Sequence, residues 1–280
     1  MAWITGKSSD EVRSGDRMGA LNSDPVQRRE RVAMATMPAK VHSRHNRFVE
    51  MMGQQITAGE LPEGEVLKSE ELEERFASSR SVVREGLRVL ETLGMVASRR
   101  NVGVSILGSS SWNVFDPQLI RWRLAGANRQ AQLQSLTQLR SAVEPLAAGL
   151  AARAISVADG RRLMKIAGEL VATGNAGDLE AFLALDIEFH SLILQASGNE
   201  MLSHLDSAVA EVLAGRTHHG LMPDKPRQEA RHLHYVVADA IQRGMAAEAE
   251  AAMRGIVTQA GDEMATAMVG SAEPGGAPGA

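Results

Sequence analysis

Between Arg44 and Ala58 the apolar residues Phe48, Met52 and Ile56 recur every fourth position, and the segment closes on Gly59, Pro62 and Gly64. That spacing predicts an amphipathic helix ending in a turn. A short second helix is expected over Ser69–Ala77, with Ser69 as N-cap, Leu72 and Phe76 on one face, and Ser78 and Ser79 turning the chain out of it. A third helix runs from about Ser79 to Leu93, with Val83, Leu87 and Leu90 as its buried stripe and Gly94 as its stop. Beyond Gly94, Met95–Ser98 and Val104–Leu107 read as two short strands joined by a cationic tip, Arg99 to Gly103.

The exposed face of the third helix changes the picture. Arg80, Arg84 and Arg88 lie four apart and stack along one ridge beside the apolar stripe. A basic helix that follows a short helix and a tight turn, and precedes a basic hairpin, describes a winged helix-turn-helix for double-stranded DNA. Arg80 and Arg84 are assigned to base edges, where arginine donates two bonds to guanine. Ser79 and Ser81 are assigned to phosphates at the helix N-terminus, and Arg100 with Asn101 to the flanking groove from the wing. The competing reading of the ridge is a solvated helix face. Against the DNA assignment stand Glu70, Glu71, Glu73 and Glu74, which make the second helix acidic.

Residues 109–125 form a connector with two of the three tryptophans, expected to pin two domains together. From Ala127 to about Met268 the periodicity is helical throughout, broken near 157–160, 174–177, 198–200, 220–225 and 244, which gives about six antiparallel helices. The fold class is mainly α. Its expected parts are a disordered extension over 1–40, the winged helix-turn-helix over 41–108, the connector over 109–125, a helical domain over 126–266 and a disordered tail over 267–280.

Composition narrows the chemistry. The 280 residues include no cysteine, which removes disulfides, thiolate metal sites and cysteine nucleophiles and fits a reducing cytoplasm. No apolar run is long enough to span a bilayer, so no membrane partner is expected. The net charge of −4 requires any DNA contact to come from a local patch, and 3% aromatic residues leave no platform for stacking single-stranded bases.

Three helices of the second domain carry polar side chains on apolar stripes. Asp186 and His190 share the stripe of Leu179, Phe182, Leu183, Phe189 and Ile193. His234 falls on that of Ala230, Val237 and Ile241, and Arg140 on that of Leu133, Leu136, Val143 and Ala147. Inward ionisable groups are costly unless partnered. Together they suit an enclosed anion: Arg140 offers a fork to a carboxylate, and Asp186, His190 and His234 grip the ligand directly or hold a divalent metal such as zinc. A buried salt bridge from Arg140 to Glu144 or Asp186, and satisfied core histidines, are the structural alternatives. His204, His218, His219 and His232 look less pointed, with His218 and His219 at a helix end.

The segments SSRSVVREGLRVLETLGMV, LRSAVEPLAAGLAARA, DIEFHSLILQASGN and HYVVADAIQRGMAAEAEAAM resemble the GntR superfamily of bacterial regulators, in its FadR-like branch with the helical FCD domain, from about residue 41 to 265. The resemblance implies a homodimeric repressor on a palindromic operator, reoriented by a small carboxylate effector. The connector WNVFDPQLIRWRL is similar to those of regulators of sugar-acid catabolism, which implies an effector such as galactonate or gluconate. Two positions depart from the family pattern. Glu71 stands where many members have a DNA-contacting arginine, and the fourth metal-ligand position falls near Ile256, with no histidine after His234. Two rival functions remain: a metal-dependent enzyme, which Glu188 serves poorly because it points off the Asp186–His190 face, and a DNA-binding protein whose helical domain only dimerises.

Overall fold

The computed structural model describes residues 39–223 and 226–271. Most of the extension expected over 1–40, and residues 272–280 of the expected tail, lie outside the described residues. The N-terminal domain opens with α1 (Ala39–Ala58), longer than its apolar period indicated, which buries Phe48, Val49, Met52 and Ile56. α2 (Ser69–Arg75) follows a two-residue strand, β1 (Val66–Leu67), that the sequence reading missed because two residues show no alternation. Its N-cap is Lys68, not Ser69. The Lys68 amide donates to Glu71 Oε2 at 2.8 Å, so a carboxylate reaching back from the first turn satisfies the N-cap amide, the half of a capping box that an N3 glutamate supplies.

α3 (Arg80–Thr92) turns Val82, Val83, Leu87 and Leu90 inward. The hairpin of β2 (Val96–Arg99) and β3 (Gly103–Ile106) then pairs antiparallel, with β1 on the other side of β3, in the order β1-β3-β2. Val96 faces Ile106 and Arg99 faces Gly103, leaving Arg100, Asn101 and Val102 as the tip. Asn101 sits there at φ 62°, a left-handed conformation that asparagine tolerates better than most residues. Glu91 on α3 accepts from the Ser98 amide at 2.9 Å and ties the wing to the helix.

The connector is ordered. Asp116 caps α4 (Pro117–Ala125) by accepting from the amides of Gln118 and Leu119, with Pro117 at the first position, where its missing N–H is not needed. α4 has two apolar faces: Leu119 and Trp122 complete the core of the N-terminal domain, and Ile120 and Leu124 pack with Leu133, Leu136, Ala208 and Val212 of the helical domain. Gly53 on α1 is the close-approach point, because a Cβ there would collide with the Trp122 ring.

Six long helices make up the second domain among the described residues: α5 (Arg129–Ala154), α6 (Val157–Ala176), α7 (Leu179–Ala196), α9 (Asp206–His218), α10 (Gln228–Gln242) and α11 (Ala246–Ser271). The one-turn α8 (Glu200–Ser203) lies between α7 and α9. Ser156, Asp178 and Asn199 cap α6, α7 and α8 with side-chain oxygens. Ala147, Ala148, Ala151 and Ala152 let α11 approach α5 closely, and α11 continues to Ser271, past the expected domain end at 266. Among the described residues, no helix is long and apolar enough to cross a membrane.

Candidate functional site

Two faces of the chain gather chemistry. On the N-terminal domain, α3 and the wing enclose a cleft of about 680 Å³, lined on its cationic side by Arg80, Arg84, Arg88, Arg99 and Arg100. Burial of Val83 and Leu87 forces the arginine ridge outward. Arg84 is 69% exposed; its neighbour Glu85 lies 3.5 Å away but spends its carboxylate on Arg88, which donates to both oxygens at 3.0 and 3.1 Å. Ser79 and Ser81 stand at the N-terminus of α3 with their hydroxyls 3.1 Å apart, beside the free amides of the first turn. Of the four glutamates of the second helix segment, Glu70 alone lines the cleft, since Glu71 is folded back onto Lys68. The acidic helix therefore offers one carboxylate to the cationic groove rather than four.

In the helical domain, α5, α7, α9, α10 and α11 enclose a second cavity. Arg140, Asp186, His190 and His234 all border it and are all buried. Arg140, expected to offer its fork to a ligand, spends it on Glu144: Nε donates to Oε1 at 2.6 Å and Nη2 to Oε2 at 3.2 Å. The two residues are one turn apart on the same buried face, which makes the pair local and complete. His190 Nδ1 is 2.9 Å from Glu144 Oε2 and its Nε2 is 3.4 Å from Asp186 Oδ1, yet neither ring nitrogen is aligned as a hydrogen bond. His234 Nδ1 donates to the Ala230 carbonyl at 2.7 Å, and its Nε2 lies 3.0 Å from Asp186 Oδ1.

Electrostatics follow from that geometry. Burial opposes every charge here, but the partners override it. Arg140 and His190 hold Glu144 down to about 2, the carboxylates of Glu144 and Asp186 lift His190 to about 9, and both histidines keep Asp186 well below the usual carboxylate range. With His190 protonated, Arg140 and His190 balance Glu144 and Asp186.

The cavity itself is about 20 Å³, room for about one water. A molecule of sugar size enters only if the lining side chains move.

Residues 45–106 match the family model for bacterial regulatory proteins of the gntR family, and residues 135–259 match that of the FCD domain. The galactonate operon transcriptional repressor of Escherichia coli is 30% identical over 207 residues, covering 72% of this chain and 90% of that protein. The chain belongs to the GntR family. The regulator LutR of Bacillus subtilis is 30% identical over 218 residues, 74% of this chain and 94% of that one. Among solved structures, Lar of Listeria monocytogenes superposes with a TM-score of 0.51 at 17% identity, covering 82% of this chain and 99% of that one, a likeness of fold.

For this GntR-family chain the metal implied by the resemblance fits three positions. Ligand atoms of Asp186, His190 and His234 lie within 4.8 Å of one another. His234 Nδ1 donates to the Ala230 carbonyl and His190 Nδ1 lies 2.9 Å from Glu144, so both Nε2 atoms lie on the Asp186 side, as metal-ligating histidines are oriented by what their other nitrogen meets. Where the pattern puts a fourth ligand, Ile256 is buried and borders the same cavity. Glu188, the base a metallohydrolase would need, is outside: it pairs with the exposed Arg162 at 2.7 Å.

Sequence reasoning missed Arg216, Gln259 and Glu263, which close the cavity from α9 and α11. A signal was present. Val209, Val212 and Arg216 share a face of α9 at spacings of three and four, and Ile256, Gln259, Ala260 and Glu263 do so on α11. His218, by contrast, is exposed and lies 3.7 Å from Glu180, and His219 caps the end of α9.

Proposed function

We propose that this protein is a ligand-responsive repressor that binds an operator as a homodimer and releases it when a small carboxylate, best matched by a sugar acid such as galactonate or gluconate, enters the helical domain. The observation that carries this reading is the buried cavity of ionisable groups drawn from five helices, one of which, α9, also supports the connector to the DNA-binding domain. Ser79, Arg80, Ser81, Arg84, Arg100 and Asn101 are the proposed operator contacts, and Arg140, Asp186, His190 and His234 the proposed effector surroundings. The name of the Escherichia coli relative supports both the direction of regulation and the sugar-acid class.

A second feature of the site favours a metal. The ligand atoms of Asp186, His190 and His234 converge, and His190 has no aligned hydrogen-bond partner, so a divalent cation that displaces the protons on the two Nε2 atoms would give His190 one and take over the His234–Asp186 bond. When bound, such an ion supplies positive charge and open coordination positions for a carboxylate or hydroxyl.

The test is a thermal-shift screen of sugar acids and short hydroxy acids, with and without chelator and added zinc. A ligand that binds the native state raises the midpoint. Stabilisation by an aldonate is expected; a flat response to every acid under both conditions refutes the sensor reading and leaves the helical domain as a dimerisation module.

A further inference from the structure

An arginine presents a carboxylate-sized fork on one side, made by Nε and Nη2. Arg140 has both arms occupied by Glu144. Arg216 has one: Nη2 donates to Glu263 Oε2 at 3.1 Å, while Nε is buried without a partner. Its side chain is only 8% exposed and borders the cavity. Burial and the like charge of Arg140 both disfavour the charged guanidinium, so this group gains from another anion.

Gln259 supplies the complementary half. Its Nε2 faces Glu263 Oε1 at 3.2 Å because a carboxylate oxygen only accepts, and that turns Oε1 away, buried and unpartnered. An idle donor arm and an idle acceptor on one cavity wall match a molecule with a carboxylate next to hydroxyls.

We infer that Arg216, rather than Arg140, grips the effector's carboxylate, taking it in exchange for Glu263, while Gln259 Oε1 accepts from a hydroxyl of the same molecule. This rests on the effector reading above. The exchange leaves no naked charge. Glu263 keeps Gln259 Nε2 and the Nε of the rim residue Arg227 at 3.4 Å, and Arg216 passes from a one-armed to a two-armed grip. It also acts on the connector. Gly215, next to Arg216, lies so close to Leu124 of α4 that a Cβ would come within 2.8 Å of it, and Glu211 pairs with Arg121 of α4 at 3.2 Å. Releasing α9 from Glu263 on α11 therefore frees the helix against which the connector rests.

The deciding experiment is calorimetric titration of the full-length protein with D-galactonate, D-gluconate and L-lactate, and with neutral D-galactose as control, for the wild type, Arg216→Gln and Glu263→Gln. For whichever acid the wild type binds, Arg216→Gln lowers affinity about tenfold or more, as loss of a two-armed charged grip requires. Glu263→Gln raises affinity severalfold, because the carboxylate that competes for Arg216 is gone; a merely structural ion pair predicts no such gain. Should Arg216→Gln fail to fold, Glu263→Gln decides alone, since it leaves Arg216 in place. A wild type that binds an acid, with variants that bind it equally well, overturns the Arg216 assignment and leaves the effector reading standing. A wild type that takes up none of the acids overturns both.

Discussion

Trp122 donates its indole N–H to Glu50 Oε2 at 2.6 Å, joining the connector helix to the first helix of the DNA-binding domain. Gln118 donates to the other oxygen of Glu50 at 2.9 Å, so one carboxylate fixes α4 against α1 at two points. Domains joined this way move together, and a change at α9 that reaches α4 reaches the DNA-binding helices.

Trp122→Phe keeps most of the ring and removes the donor. It is expected to cost about 1–3 kcal/mol, the usual cost of leaving a part-buried acceptor short of a partner. Differential scanning calorimetry should then show a transition broadened or split relative to the wild type, because one of the two bonds that hold α4 to α1 is gone. A single transition at an unchanged temperature would show that the bond does not couple them.

Arg84→Ala should weaken operator binding by about 1–3 kcal/mol in gel-shift titration, the discrimination of one bidentate base contact. Arg88→Ala should weaken it less, since Glu85 neutralises that guanidinium and already holds its Nη1 with both carboxylate oxygens. Equal losses for the two would place the reading edge of α3 elsewhere.

Glu70→Gln removes the one carboxylate of the second helix segment that lines the cationic cleft. Affinity for nonspecific duplex should rise severalfold at low salt and converge with wild type at high salt, as expected for a repulsion that ions screen. Glu71→Gln should not do so, because its carboxylate serves the N-terminus of α2; it should instead lower stability by about 1 kcal/mol.

Arg140→Gln should be a stability variant. Breaking a fully buried pair costs about 3–5 kcal/mol because Glu144 is left charged and without its fork. Replacing both members, as Arg140→Met with Glu144→Leu, should recover part of that loss in urea denaturation. Failure of the double variant to recover any of it would mean that His190 and Asp186 depend on the pair as well.

The pH response of metal-stripped protein follows from His190. Burial alone would lower its pKa, but Glu144 and Asp186 raise it from 6.5 to about 9 in the folded chain. The fold therefore favours protonated His190, a contribution complete below pH 6.5 and lost as pH rises through 9. Chelated protein should show a thermal midpoint that falls across that interval, and His190→Gln should flatten the fall. Zinc should remove the dependence if Asp186, His190 and His234 bind it, because the ion takes the place of the proton.

Much of this was legible in the sequence, for identifiable reasons. Long apolar periods placed α3, α7 and α10, and the four-residue spacing of Arg80, Arg84 and Arg88 marks the basic ridge by itself. Inward stripes brought Asp186, His190, His234 and Arg140 to one cavity from three helices. What escaped was partner choice. Nothing in the spacing of Arg140 decides between Glu144 and a ligand, since both satisfy the same fork. Arg216 escaped because it falls in the last turn of α9, where a basic residue reads as the ordinary exposed complement of the helix dipole. Glu263 sat in the C-terminal half of α11, where Gly261, Asp262 and Thr266 interrupt the apolar period.

The most direct measurement is fluorescence anisotropy of a labelled operator held by the protein while D-galactonate or D-gluconate is added, with D-galactose as the neutral control. One of the acids is expected to lower anisotropy to that of free DNA, and the neutral sugar to leave it unchanged. A complex that persists at saturating concentrations of both acids, with and without zinc, would contradict the proposed release.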